Sequence, residues 1–402
     1  MKQKNKVVLV MAVAMGTSST AAMAQNSYLW SRLQSLPEYS GASGATGVSV
    51  YGTLDEGINY IKSDNGPVKT QVMSGGEYSS KLGIYGSEDL GGGLKLEFNL
   101  ESGFQADTGT QQDTNLFNRA SWVGLKSREL GTLRFGNQLA ASLPLFVDVF
   151  GVVNTNSVFT WVGAAAVQTS KGVGYNSDLG AGATTLLTRV PKSVMYQTPR
   201  MAGLSGQFMY ASNSTTGTGV PRASNQGGVV SYESYPFYLA ASYNQVWSGA
   251  VTLTTGATPI YVRNDIPGLA VVYDHGDLVL STSYMMMVPK LEQDGLARIA
   301  TLGAILPRGR HTWRMSVVHR DTSGVRNTAG TEVASSALGV MLGYDYDLSK
   351  RTSLYARVGT VRNFGASTIV FNSNALPLQS GSANPQLGIE TRSLTLGMYH
   401  HF

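Results

Sequence analysis

Glu97 and Glu101 stand four residues apart in a segment that alternates polar and apolar side chains. In an extended strand alternate residues share a face. Lys95, Glu97, Asn99 and Glu101 therefore take one side, and Leu96, Phe98 and Leu100 the other. Two carboxylates on one face could do general acid–base work, given a reacting group fixed between them. The simpler reading is a pair of wall charges tied to neighbouring bases. The histidines, His275, His311, His319, His400 and His401, make no HExxH or other metal-ligand spacing. The chain has no cysteine, which excludes thiol nucleophiles, cysteine–zinc sites, iron–sulfur clusters and disulfides. What remains is chemistry by electric field rather than by bond making, and no enzyme activity, metal or cofactor is expected.

The elements that carry these charges begin after a separate N-terminal segment. Lys2, Lys4 and Lys6 precede the short apolar run of residues 7–15, and Ala22-Met23-Ala24 forms a small-residue cleavage site. Together they predict a secretory signal peptide over residues 1–24. Its removal lowers the bases from 30 to 27 against 25 acids, so the mature charge is near +2 and nucleic acid is not an expected partner. Residues 25–46 read as a periplasmic extension, in which Leu29, Trp30, Leu33 and Leu36 recur at the spacing of a short amphipathic helix. A disordered leader is the equal alternative.

From Gly47 to Phe402 runs of about ten residues alternate apolar with polar or small side chains. Tight turns near residues 90–92, 127–130, 200–203, 235–236, 274–277, 307–309 and 347–350 interleave with eight longer polar stretches. Short–long alternation is the signature of an up-and-down antiparallel barrel, and seven turns with eight loops give about 16 strands. An even number closes the sheet and removes its edges. A barrel that wide holds an aqueous lumen, so its apolar face must point outward into a membrane. The fold expected for residues 47–402 is all-β, a 16-stranded transmembrane barrel.

Several stretches are specific in order as well as type: Gly47-Val48-Ser49-Val50-Tyr51-Gly52; Leu82-Gly83-Ile84-Tyr85-Gly86-Ser87-Glu88-Asp89-Leu90-Gly91-Gly92-Gly93; Phe117-Asn118-Arg119-Ala120-Ser121-Trp122-Val123-Gly124-Leu125; Gly131-Thr132-Leu133-Arg134-Phe135-Gly136; and the terminal Leu396-Gly397-Met398-Tyr399-His400-His401-Phe402. Over nearly the whole mature chain these resemble the general diffusion porins of Gram-negative outer membranes, particularly the β-proteobacterial group. The resemblance implies a homotrimer of barrels in contact with outer-membrane lipid and lipopolysaccharide. It also implies a third loop folded into each lumen, and passive diffusion of small hydrophilic solutes and ions. Phe402 corresponds to the signal read by the outer-membrane assembly machinery. Three features depart from the family pattern: Asn137 and Tyr85 where arginine is usual, a long third loop poor in acids, and the extension before Gly47.

Carried over residue by residue, the wall bases of the constriction fall on Lys81, Arg119 and Arg189. Arg134 joins them by alternation with Leu133 and Phe135. The third loop supplies the acids Asp148 and Asp178, with Lys171 as its single base. Lys95, Glu97 and Glu101 are expected on the lumen wall. This balance predicts mild anion preference. Phe146, Phe150, Phe159 and Trp161 in the same loop either pack it against the wall or form a stacking track for a selected solute. An outer-membrane barrel enzyme or an adhesin are the alternatives of a different class.

Overall fold

A computed structural model describes residues 46–370 and 390–402, apart from 65–67, 146, 151–156, 164–167, 170–175, 177, 187, 218, 254–255, 293, 327–329 and 334. The expected signal peptide, the extension up to residue 45, Phe146 and Lys171 lie outside the described residues.

Sixteen antiparallel strands close into a barrel. They are β1 (Gly47–Ser63), β2 (Lys81–Gly91), β3 (Leu94–Gln105), β4 (Ala120–Ser127), β5 (Gly131–Leu139), β6 (Arg189–Gln197), β7 (Leu204–Ser212) and β8 (Ala223–Ser234). The second half is β9 (Phe237–Val251), β10 (Ile260–Asp274), β11 (Val279–Pro289), β12 (Leu296–Arg308), β13 (His311–Ser323), β14 (Ser335–Asp347), β15 (Thr352–Gly365) and β16 (Glu390–His401). β16 pairs with both β15 and β1, which closes the ring. The seven tight turns fall between the strands that the sequence pattern joins by them.

The register puts the apolar stripes outside. On β3 Glu97, Asn99 and Glu101 are buried and inward, while Leu96, Phe98 and Leu100 alternate outward. Val48, Val50 and Ile58 on β1, Leu269 on β10, Leu302 on β12, Leu342 on β14 and Leu396 on β16 are all exposed large apolar side chains. In water such a surface would aggregate; in a bilayer it is the solvated face.

The lumen side is divided. Strands β1–β6 and β16 present polar groups inward, among them Asp55, Asn59, Glu97, Asn99, Thr391, Ser393 and Thr395. Strands β8–β15 add a cluster of apolar ones, including Val229, Ile266, Met285, Met287, Ile299, Val318 and Met341, alongside polar and charged groups such as Ser283, Thr301, Arg314, Arg320, Asp345 and Arg357. The third loop, between β5 and β6, covers this apolar half. A 3-10 turn at Leu143–Leu145 and a short helix, α1 (Val158–Val162), contribute Leu143, Leu145, Phe150, Phe159 and Trp161 to the same core. Phe150, Phe159 and Trp161 have no exposed surface. The sequence pattern leaves their role open between packing and solute stacking; the structure spends them on packing. The loop also pairs through Gln168–Thr169 with Ile369–Val370 from the stretch after β15.

The second wall position is interrupted. β1 pairs with β2 from Gly47 to Thr53, and with a short strand, Lys69–Ser74, from Glu56 to Ile61. Two residues of β1 separate these ladders, whereas residues 75–80 separate them on the partner side. The surplus folds inward as a strap. Gly75 takes φ 82°, a left-handed conformation costly for other residues, and a Cβ on Gly76 would meet the Tyr355 hydroxyl at 2.0 Å.

Candidate functional site

The strands that face the polar half bring three bases to one carboxylate. Glu101 points inward from β3. Arg119, just before β4, donates from Nε to Glu101 Oε1 at 2.7 Å. Lys81, the first residue of β2, holds its Nζ 3.5 Å from Glu101 Oε2. Arg189, the first residue of β6, donates from Nε to the Arg119 carbonyl at 2.7 Å. The Tyr51 hydroxyl on β1 lies 2.8 Å from Glu101 Oε2 and 2.9 Å from Asn99 Oδ1, and its single proton serves one of them at a time. Charge-assisted bonds of this kind are short and directional, so the bases are held in place rather than left swinging. Tyr85, a departure from the family pattern, is buried beside Tyr51 and Trp122 in an inward aromatic cluster.

Arg134 also points inward but lies one tier nearer the tight turns. It pairs across the ladder with Gly124, which is itself opposite Glu97. Its guanidinium sits 4.0 Å from the centre of the Trp122 ring. Glu97 takes the Lys126 ammonium at 3.1 Å, so this lower acid is offset by its own neighbour. Lys95 is level with Asp89 and Lys126, one tier below Glu97.

Asp148 and Asp178 make their contacts on the far wall. Asp148 Oδ1 accepts from the Ser316 hydroxyl of β13 at 2.5 Å; its Oδ2 accepts from Ser157 Oγ at 2.9 Å and the Phe150 N–H at 3.1 Å. Ser157 in turn caps α1 by accepting from the Thr160 N–H at 3.2 Å. Burial pushes the Asp148 carboxyl up from its ordinary range, while the hydroxyls of Ser316 and Ser157 hold it down. Asp178 receives a fork from Arg320 of β13, at 2.8 Å and 2.9 Å. The same guanidinium donates to the Gly163 carbonyl at 2.6 Å. Both acids thus anchor the third loop, and the structure brings neither into contact with Lys81, Arg119 or Arg189.

Sequence reasoning missed a second charged network. The strap residue Glu77 is paired with Arg357 of β15, which also bonds Asp345 of β14 at 2.6 Å. Asp345 takes Arg314 of β13 at 2.7 Å, and Arg314 reaches the Val149 carbonyl of the third loop at 3.0 Å. Asp55 holds the strap from the other side, accepting the Glu77 N–H at 2.7 Å and the Tyr78 N–H at 2.5 Å. Strap, wall and loop are therefore one hydrogen-bonded unit. Alternation along Leu354, Ala356 and Val358 would have placed Arg357 inward; nothing local marks Glu77. Among the described residues no group of three or more acidic or histidine side chains could hold a metal ion.

Comparison with known proteins agrees with this architecture. The outer membrane porin protein 32 of Delftia acidovorans is 27% identical over 98% of this chain and 99% of its own length. An outer membrane porin protein of Bordetella pertussis is 27% identical over 82% of this chain and 92% of its length. Among solved structures, an anion-selective porin from Comamonas acidovorans superposes with a TM-score of 0.68 at 23% identity, covering 89% of this chain and all of that one. The family model for Gram-negative porins matches residues 9–366, and with a closed sixteen-stranded barrel, an apolar exterior and a charged lumen the chain belongs to that family.

Proposed function

We propose that this outer-membrane porin passes small hydrophilic solutes and ions by passive diffusion, with a mild preference for anions. The observation that supports the preference is the charge count at mid-height of the polar wall. Lys81, Arg119 and Arg189 bring three positive charges and Glu101 one negative, 3 − 1 = +2. Arg134 adds a further positive charge below them. Asp178 is offset by Arg320, and the Asp148 carboxylate is turned to the Ser316 hydroxyl of the opposite wall and to Ser157 within the loop. A fixed positive field beside a narrow aqueous path raises the local concentration of anions and lowers that of cations. One structural relative is described as anion-selective.

General diffusion is favoured over a solute-stacking track because Phe150, Phe159 and Trp161 leave no ring surface open. The one carboxylate pair weighed for bond-making chemistry does not support it, since Glu97 and Glu101 are both neutralised by bases of the wall. The functional unit we infer is a homotrimer without cofactor; a related outer membrane protein of Vibrio cholerae has a solved trimer form. In this reading residues 1–24 are removed on export, residues 25–46 stay on the periplasmic side, and Phe402 addresses the assembly machinery. The reversal potential across a planar bilayer under a salt gradient tests the central claim. A value on the anion side is expected, and a clear cation preference overturns it.

A further inference from the structure

The outer wall carries charges of its own. Beneath them, the outward side of β10 is apolar or aromatic from Tyr273 through Val271 and Leu269 to Pro267. Tyr273 packs on Phe237 at the end with tight turns, their ring centres 5.4 Å apart. Two steps beyond Pro267 the outward positions become Asp265 and then Arg263. A strand rises ~3.3 Å per residue and tilts by ~40° in such barrels, so Arg263 stands roughly 25 Å above Tyr273. That is the height of the apolar band, and it sets Arg263 at the boundary where lipid headgroups of the outer leaflet begin.

At that height two bases share one acid. Arg263 bonds Asp265 from Nε at 2.9 Å and from Nη2 at 3.3 Å. Lys290, which follows β11, reaches the other side of the same carboxylate at 3.3 Å. The two bases are cross-strand neighbours, the Lys290 N–H donating to the Arg263 carbonyl at 2.8 Å. The Asp265 side chain is only 11% exposed, whereas Arg263 and Lys290 are 43% and 44% exposed. What the surroundings meet is therefore two cations whose counter-charge lies beneath them, a local balance of 2 − 1 = +1. A guanidinium has five N–H groups and an ammonium three; two and one are used on Asp265, so five donors remain. Trp247 pairs with Arg263 across the ladder and so shares this outer face. An amphipathic ring at that depth suits the headgroup zone.

Phosphate matches this arrangement: anionic, rich in acceptors, and recognised bidentately by arginine with lysine as a point charge. We propose that Arg263 and Lys290, held together by Asp265, form a binding site for a phosphate-bearing lipid headgroup of the outer leaflet. Its acyl chains would lie down the exposed surface of Leu269 and Tyr284. The site is separate from the lumen charges, so it stands or falls independently of anion preference.

The assay is native mass spectrometry of the purified, folded protein with bis-phosphorylated lipid A, and with the same lipid stripped of phosphate. The variants are Arg263→Gln combined with Lys290→Gln, and Arg298→Gln as control. Arg298 is also an outer base, but it is paired one to one with Asp321 at 3.6 Å. The double variant should bind the phosphorylated lipid about tenfold more weakly, as expected for lost charge-assisted bonds. The control should bind as the parent does, and the stripped lipid should not distinguish the proteins. Inorganic phosphate at millimolar concentration should fail to displace the lipid. Single-channel conductance of the double variant confirms that it has folded. Equal binding by parent and double variant overturns the proposal. So does an equal loss for the stripped lipid, displacement by free phosphate, or dissociation of the oligomer, which would make the pair a contact between copies.

Discussion

Replacing Arg119 by glutamate reverses one of three positive charges around Glu101, taking the local balance from +2 to zero. A unit charge about 8 Å from an ion, at an effective dielectric near 20, acts with roughly 2 kcal/mol before screening. At 0.1 M salt, where the Debye length is about 10 Å, a little under half of that survives, or about 0.9 kcal/mol. The substitution changes two units of charge, so ion energies shift by about 1.8 kcal/mol at this point, of the order of twentyfold in relative occupancy. At 1 M salt the Debye length falls to about 3 Å and the same change shrinks to about 0.3 kcal/mol, less than twofold. The reversal potential measured under a tenfold gradient at both salt levels should therefore move strongly towards cations only at the lower one. Because a new carboxylate would face Glu101, Arg119→Gln serves as the gentler partner, with about half the shift. A folded barrel whose reversal potential is unchanged at 0.1 M for both variants would refute the placement of these charges beside the ion path.

Trp161→Ala should loosen the third loop and raise single-channel conductance, since the indole is fully buried against Gly359 and its loss costs about 3–5 kcal/mol of packing; unaltered conductance would count against the loop as a wall of the path. Arg357→Met leaves the buried Glu77 and Asp345 short of a partner and should destabilise the barrel by about 3–5 kcal/mol, read as a lower temperature for the gel-mobility shift of unfolding, with Glu77→Gln restoring part of the loss. Deleting Phe402 should reduce the amount of porin at the cell surface severalfold. Refolded material should lose little stability, because the ring is 48% exposed and only two backbone bonds to Gly52 go with it.

How much of this could be read from residues alone differed between the two halves of the lumen. Where polar residues face water and apolar ones face lipid, as along Glu97, Asn99 and Glu101, one strand carries its own orientation. The tight turns were equally plain, because six of the seven break the alternation with glycine, proline or aspartate, and the seventh, residues 127–130, does so with Ser127-Arg128-Glu129. On β11 the run Met285-Met286-Met287 is apolar on both faces, and no local rule tells which methionine sits under the third loop. The apolar inner wall exists only because the third loop, distant from it in sequence, covers it. The strap was hidden for a related reason. Residues 75–80, Gly75-Gly76-Glu77-Tyr78-Ser79-Ser80, are glycine-rich and mostly polar, which suits an exposed loop as well as a buried one. What draws them inside is Asp55 and Arg357, residues remote from them in the chain. The acids of the third loop were found by type, but their partners Ser316 and Arg320 depend on how the loop lies across the lumen.

The apolar seat of the third loop bears on how this channel responds to voltage. Moving one whole charge through the full membrane field gains about 2.3 kcal/mol per 100 mV. Undocking the loop would expose Phe150, Phe159 and Trp161, each worth about 1.5–3 kcal/mol of burial, and would break the Asp178–Arg320 fork besides. A potential of 100 mV falls well short of that sum. Current through the open channel should therefore stay ohmic over the physiological range. Any closure at a few hundred millivolts should appear as whole-subunit steps rather than a graded swing of the loop.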